Sequence, residues 1–130
     1  MHALEVDRSA GKAVTAMEIH IEGHVARPIP RGHATTRLRQ VLSRLPVHPV
    51  TAHVTFADVN GPKGGNDIRC AVRVELPHQP PIVAERVAST PRLAFDAAYD
   101  RVARQLERDR ERWQDSRRHP KKYYAARRLL

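Results

Sequence analysis

The residues best suited to chemistry in this sequence are arginines, and their spacing gathers them on one surface. Arg101, Arg104, Arg108 and Arg112 recur at intervals of three and four. On a helix, that spacing lines side chains up in one stripe. A guanidinium carries a permanent charge and a planar fork of donors, so it can chelate phosphate oxygens and stack on bases. Between residues 101 and 130 there are 11 Lys or Arg against 4 Asp or Glu, so +7 of the formal net charge of +9 sits there. The chemistry this favours is recognition of a polyanion, either nucleic acid or an anionic membrane surface. Helical pairs such as Asp100–Arg104, Glu107–Arg110 and Glu111–Arg108 account for part of the charge. Each is worth only roughly 0.2–0.5 kcal/mol, and none requires four aligned arginines.

Other reactive residue types lack such a pattern. The 8 histidines are scattered. His20 and His24 are four apart, but the first falls in a predicted strand, so they share no helical face. No Cys/His pair has zinc-finger spacing, and no metal or cofactor is expected. The run Gly61-Pro62-Lys63-Gly64-Gly65 has the glycines of a phosphate loop. It lacks the Gly-Lys-Ser/Thr ending and precedes a strand, so it reads as a hairpin turn. Asp58 and Asp67 flank that turn, where carboxylates commonly bond the backbone. No local signature links a nucleophile to a base. No catalytic residue is assigned, and the expectation is that the chain is not an enzyme.

Cys70 is the single cysteine, which excludes an internal disulfide. It lies in an alternating apolar run, as a small buried hydrophobe would, and fits a reducing cytosol. The first 15 residues lack the apolar stretch of a signal peptide. No run approaches the roughly 18 apolar residues of a membrane span. A cytoplasmic protein without a membrane partner is expected. Between the nucleic acids, RNA is favoured over DNA, since the sequence has no helix-turn-helix spacing and no DNA-reading motif. Tyr123 and Tyr124, which follow Lys121 and Lys122, could stack on exposed bases or could equally belong to a disordered tail.

The arginines need a scaffold to hold them. Hydrophobic residues make up 41% of the chain but aromatics only 5%, so the core must be largely aliphatic. Residues 1–15 carry no periodicity and read as a loose arm. Met17, Ile19 and Ile21 alternate with Glu18, His20 and Glu22 in a half-buried strand that ends at Gly23. Pro28 and Pro30 interrupt it. Over residues 31–45, Ala34, Leu38, Val41, Leu42 and Leu45 form a helical apolar stripe, beside a polar one of His33, Arg37, Gln40 and Arg44. Pro46 and Pro49 end that helix. Val50, Ala52, Val54 and Phe56 mark a second strand. Ile68, Cys70, Val72, Val74 and Leu76 mark a third, paired with the second as a hairpin through residues 60–66. Ile82 to Ala88 is a short fourth strand whose inward face is ambiguous.

Thr90 or Ser89 followed by Pro91 is a helix start, with a hydroxyl cap and then proline at the first position. The last helix runs to Trp113 or a little beyond. Its core stripe is Phe95, Tyr99, Val102, Leu106 and Trp113. The arginines form a second stripe, and Asp96, Asp100, Glu107 and Glu111 a third. The predicted fold class is α+β. Its order is β-α-β-β-β-α, with two helices packed on one face of a four-stranded, mainly antiparallel sheet. The domain spans residues 16–113, between the arm and a basic tail over residues 114–130.

The run from Leu93 through Phe95-Asp96-Ala97-Ala98-Tyr99-Asp100-Arg101-Val102-Ala103-Arg104-Gln105-Leu106 resembles the last helix of the ribosome hibernation-promoting factors. That family includes the ribosome-associated inhibitor A proteins, once called sigma-factor modulation proteins. Arg108, Arg110 and Arg112 continue the family's alternating basic residues. The opening strand ending in Gly23, Thr36-Arg37-Leu38 in the first helix and the element order also match. The resemblance covers residues 17 to 113.

It implies a dormancy factor that occupies the messenger and transfer RNA channel of the small ribosomal subunit through basic helix faces, with ribosomal RNA as partner. The RNA-binding residues it and the charge pattern imply are Arg37, Arg44, Arg101, Arg104, Arg108, Arg110, Arg112, Arg117, Arg118, Lys121 and Lys122. Long members carry a further C-terminal domain that pairs ribosomes. Only 17 residues follow Trp113, so a short form, monomeric when free, is expected. The other reading of the residues is a non-ribosomal regulator that binds a protein partner, or a general RNA-binding module.

Overall fold

The computed structural model describes residues 17–59 and 67–118, with the backbone alone for 115–118. The expected N-terminal arm, the 60–66 turn and the end of the basic tail, with Lys121, Lys122, Tyr123 and Tyr124, lie outside the described residues.

The elements follow the expected order. They are β1 (Met17–His24), α1 (Arg31–Leu42), β2 (Val50–Asp58), β3 (Ile68–Glu75), β4 (Ile82–Ala88) and α2 (Pro91–Arg118). The sheet order is β1-β2-β3-β4. β1 pairs parallel with β2, since α1 is the crossover between them, and the two remaining pairings are antiparallel. Register aligns the apolar positions in rows. Ile21 faces Val54, Val54 faces Val72, and Val72 faces Ala84. Side chains alternate along each strand, so these rows make one continuous apolar face.

Both helices cover that face. Ala34, Leu38, Val41 and Leu42 of α1 and Phe95, Tyr99, Val102 and Leu106 of α2 are buried in one cluster with the strand residues. Cys70 lies inside it, and burial pushes its thiol up to about 12 from 9.0. The ambiguous fourth strand is settled by register. Ala84 points inward and is buried, while Val83 and Val87 stay about half exposed on the outer face. Arg86 shares the inward side with Ala84 but sits on an edge strand, where its guanidinium reaches solvent and donates to the Glu85 carbonyl.

Gly23 is required by close packing. A Cβ there would lie 2.7 Å from the Phe56 carbonyl oxygen and 2.8 Å from the Phe56 Cβ. At the start of α2, the Leu93 N–H donates to the Thr90 hydroxyl at 3.1 Å, so Thr90 and not Ser89 is the cap. The helix continues five residues past Trp113, to Arg118. Trp113 is partly buried against the core.

Candidate nucleic-acid interface

The two helices lie side by side on the sheet, and polar contacts tie them together. His33 of α1 shares a 2.6 Å hydrogen bond with Asp96 of α2. The His33 ring also meets Phe95 edge-on, with centroids 5.7 Å apart. Arg37 lays its guanidinium over the Tyr99 ring, 4.5 Å from the centroid. That cation–π contact fixes the height of Arg37 above the helix seam. Further along, Arg44 approaches Glu107 at 4.0 Å. Arg31 reaches back to the Ile21 carbonyl at 2.6 Å, which anchors the start of α1 to β1.

These ties change the meaning of the acidic stripe. It was expected as a separate face with helical pairs, and three of its four carboxylates, Asp96, Asp100 and Glu107, turn toward neighbours. Asp96 is held by His33, Asp100 by Arg104 at 2.8 Å, and Glu107 by Arg110 at 3.5 Å as well as by Arg44. Two of the expected helical pairs form, Asp100–Arg104 and Glu107–Arg110. The third does not: Arg108 donates instead to the Gln105 amide oxygen at 2.9 Å, one turn earlier on the same side. Arg101 is exposed and meets no partner among the described residues. Arg101 and Arg108 therefore present charges that no described carboxylate cancels, and Arg104 stays 73% exposed despite its pair.

One acidic residue escaped the sequence reading. Asp109 is only 7% exposed and accepts hydrogen bonds from Gln105, at 3.0 Å, and from Arg112. A buried carboxylate is costly unless it is paired, so Arg112 is partly committed to holding Asp109. Arg110 is likewise half-buried against Glu107. The helical period places Asp109 next to the core stripe, between Leu106 and Trp113. That position was the available signal.

Of the expected RNA-binding residues, Arg37, Arg44 and Arg104 flank the seam between the helices, and Arg101 and Arg108 line the outward side of α2. Arg110 and Arg112 sit nearby with acidic partners. Arg117 and Arg118 belong to the last turn of α2, and their side chains lie outside the described residues.

The opposite face of the sheet is chemically different. It carries Glu18, Glu22, Glu75 and Glu85 against Arg69 and Arg73. His20 and His53 stack there with centroids 5.0 Å apart. The hydrogen bond from Arg73 holds the Glu75 carboxyl below its ordinary value. Among the described residues, most of the arginines thus lie on the helix side. Among the described residues, no group of His, Cys, Asp or Glu is arranged to hold a metal ion, and no helix is long and apolar enough to cross a membrane.

A sequence model described as Sigma 54 modulation protein / S30EA ribosomal protein matches residues 19–114. No curated protein matches the sequence significantly. Among solved structures, the chain is similar to the N-terminal domain of Protein Y from Thermus thermophilus. Identity is 21% and the TM-score 0.56, over 69% of this chain and 94% of that one. It is also similar to a ribosomal subunit interface protein from Coxiella burnetii, at 16% identity and a TM-score of 0.50, over 68% of this chain and 91% of that one. At these identities the likeness is one of fold.

Proposed function

The chain belongs to the Sigma 54 modulation protein / S30EA ribosomal protein family, and from that premise we propose that it binds the small ribosomal subunit and idles it. The observation that carries this reading is the meeting of arginines from both helices along one surface. Arg37 and Arg44 come from the α1 side, and Arg101, Arg104 and Arg108 from α2. Asp96, Asp100 and Glu107, which lie among them, are engaged in ties between or within the helices. The net result is a cationic layer backed by a packed sheet.

Such a layer suits ribosomal RNA. Arginine–phosphate contacts release counterions and supply affinity, while carrying no sequence information. Position is then set by shape. The helix side docks, and the more acidic sheet side faces away from phosphate. The mechanism is steric: a monomeric, rigid α+β body occupies the space that messenger and transfer RNA need. Inhibition by occupancy requires no bond to be made or broken.

Competition tests this reading. Small subunits preloaded with the protein are expected to lose binding of labelled messenger and transfer RNA in proportion to the protein bound. Unchanged binding of both RNAs on saturated subunits would contradict occupation of the channel.

A further inference from the structure

The seam between α1 and α2 opens into a groove of about 310 Å³. Gln40, Val41 and Arg44 line it from the α1 side, and Tyr99, Ala103, Arg104 and Glu107 from α2. Its volume is at the small end of the roughly 300–1,000 Å³ typical of ligand clefts. Its chemistry is layered. Val41, Ala103 and Tyr99 supply its apolar lining. Gln40, exposed on the rim, offers both an amide donor and an acceptor. Arg44 and Arg104 stand at the mouth, with side chains 62% and 73% exposed. The one carboxylate, Glu107, is neutralised by Arg44 at 4.0 Å and Arg110 at 3.5 Å.

We propose that this groove receives a single unstacked RNA base, with its flanking phosphates held by Arg44 and Arg104. The inference rests on the RNA-binding reading above and adds a base-recognition site to it. Each layer of the groove narrows the ligand. A bare anion would use the two arginines but leave the apolar lining wet. An uncharged apolar molecule would cover the apolar lining but make no use of the exposed guanidinium groups of Arg44 and Arg104. A nucleotide uses both, since its ring is flat and apolar on its faces, polar at its edge and joined to phosphate. Gln40 is placed to meet the polar edge, because an amide can donate and accept at once. Single-stranded RNA is recognised in this way, by bases turned out of the stack into side-chain clefts. The His33–Asp96 bond and the Arg37–Tyr99 stack hold the two walls at a fixed spacing. The groove is therefore formed before the base arrives, which lowers the ordering cost of binding.

The test compares two ligands of equal charge, measured by fluorescence anisotropy on the full chain. One is a short single-stranded RNA, and the other is the same ribose-phosphate backbone without bases. The wild-type protein is expected to bind the base-bearing strand about tenfold more tightly, the lower part of the range measured for base contacts. Ala103→Trp fills the groove and leaves every arginine in place. It is expected to erase that preference while keeping affinity for the abasic strand. Gln40→Ala, an exposed substitution that keeps the groove open, is expected to weaken the preference partially. It guards against a folding defect in the tryptophan variant. Equal affinity of the wild type for the two strands would overturn the groove proposal and leave RNA binding standing. A preference that both variants retain in full would assign base recognition to another part of the chain, and would overturn it too. Binding to neither strand would remove the RNA-binding reading itself, and the groove proposal with it.

Discussion

Replacing Arg104 and Arg108 together by Glu is expected to weaken binding to small ribosomal subunits by about 100-fold or more. Both side chains are exposed on α2, and neither is buried in the core. A hydrogen bond to a charged group contributes about 1.5–3 kcal/mol, so two lost arginine–phosphate contacts alone reach that factor. The two new carboxylates add repulsion. Stability should change little, since substitutions of exposed residues away from special contacts usually stay within about 0.5 kcal/mol. The largest local cost is the Arg104–Asp100 pair at 2.8 Å, an exposed ion pair worth at most about 1 kcal/mol. The double Lys variant keeps the charge and loses the fork, and should retain part of the affinity. Quantitative co-sedimentation measures all three proteins. Undiminished binding of the Glu variant would move the interface away from α2.

Phe95→Ala is expected to cost about 3–5 kcal/mol, the range for removing a buried aromatic side chain. Phe95 is fully buried and is among the largest side chains of the core. It meets Tyr99 with ring centroids 5.6 Å apart and His33 at 5.7 Å. Against a total stability of roughly 5–15 kcal/mol the loss is severe. The melting temperature should fall by on the order of 20 °C, as read by circular dichroism. A fall of only a few degrees would mean that the core closes over the cavity. The substitution also loosens Tyr99, and with it the seat of Arg37, so binding should suffer beyond the unfolded fraction.

Much of the fold was legible because the strands are strictly alternating and the helices amphipathic. Val50 to Phe56 and Ile68 to Leu76 place every second residue in the core, and burial follows that period. β4 resisted the same treatment. Only Ala84 is buried there, and Val83 and Val87 face outward, so an edge strand with valines on its open side carries no clean period. The parallel pairing of β1 with β2 follows from the crossover, since a helix between two adjacent strands returns the chain to the same end of the sheet.

The site was legible only as a list of arginines. Their spacing on α2 is a local property that a single helix fixes. What they touch depends on α1. The His33–Asp96 bond, the Arg37–Tyr99 stack and the groove lining of Val41 and Ala103 join residues about 60 apart in sequence. No one-dimensional period connects them. The same reason explains the acidic stripe: the pairs Asp100–Arg104 and Glu107–Arg110 lie within α2 and were legible, whereas the ties of Asp96 to His33 and of Glu107 to Arg44 cross to the α1 side and were not. Asp109 illustrates the limit from within one helix. Its burial is set by the neighbouring core residues, and its pairing with Arg112 by the cost of leaving a carboxylate alone.

The central claim is that the arginine layer on the helix side binds the small ribosomal subunit through phosphate. The direct measurement is co-sedimentation of the wild-type protein with purified small subunits across a range of salt. If four of the five arginines Arg37, Arg44, Arg101, Arg104 and Arg108 each neutralise one phosphate, the logarithm of the affinity should fall against that of the salt concentration with a slope of about −3. That is a loss of about 60-fold between 50 and 200 mM salt. A protein that remains at the top of the gradient at low salt, or that sediments with the subunits to the same extent at every salt concentration, would contradict the account.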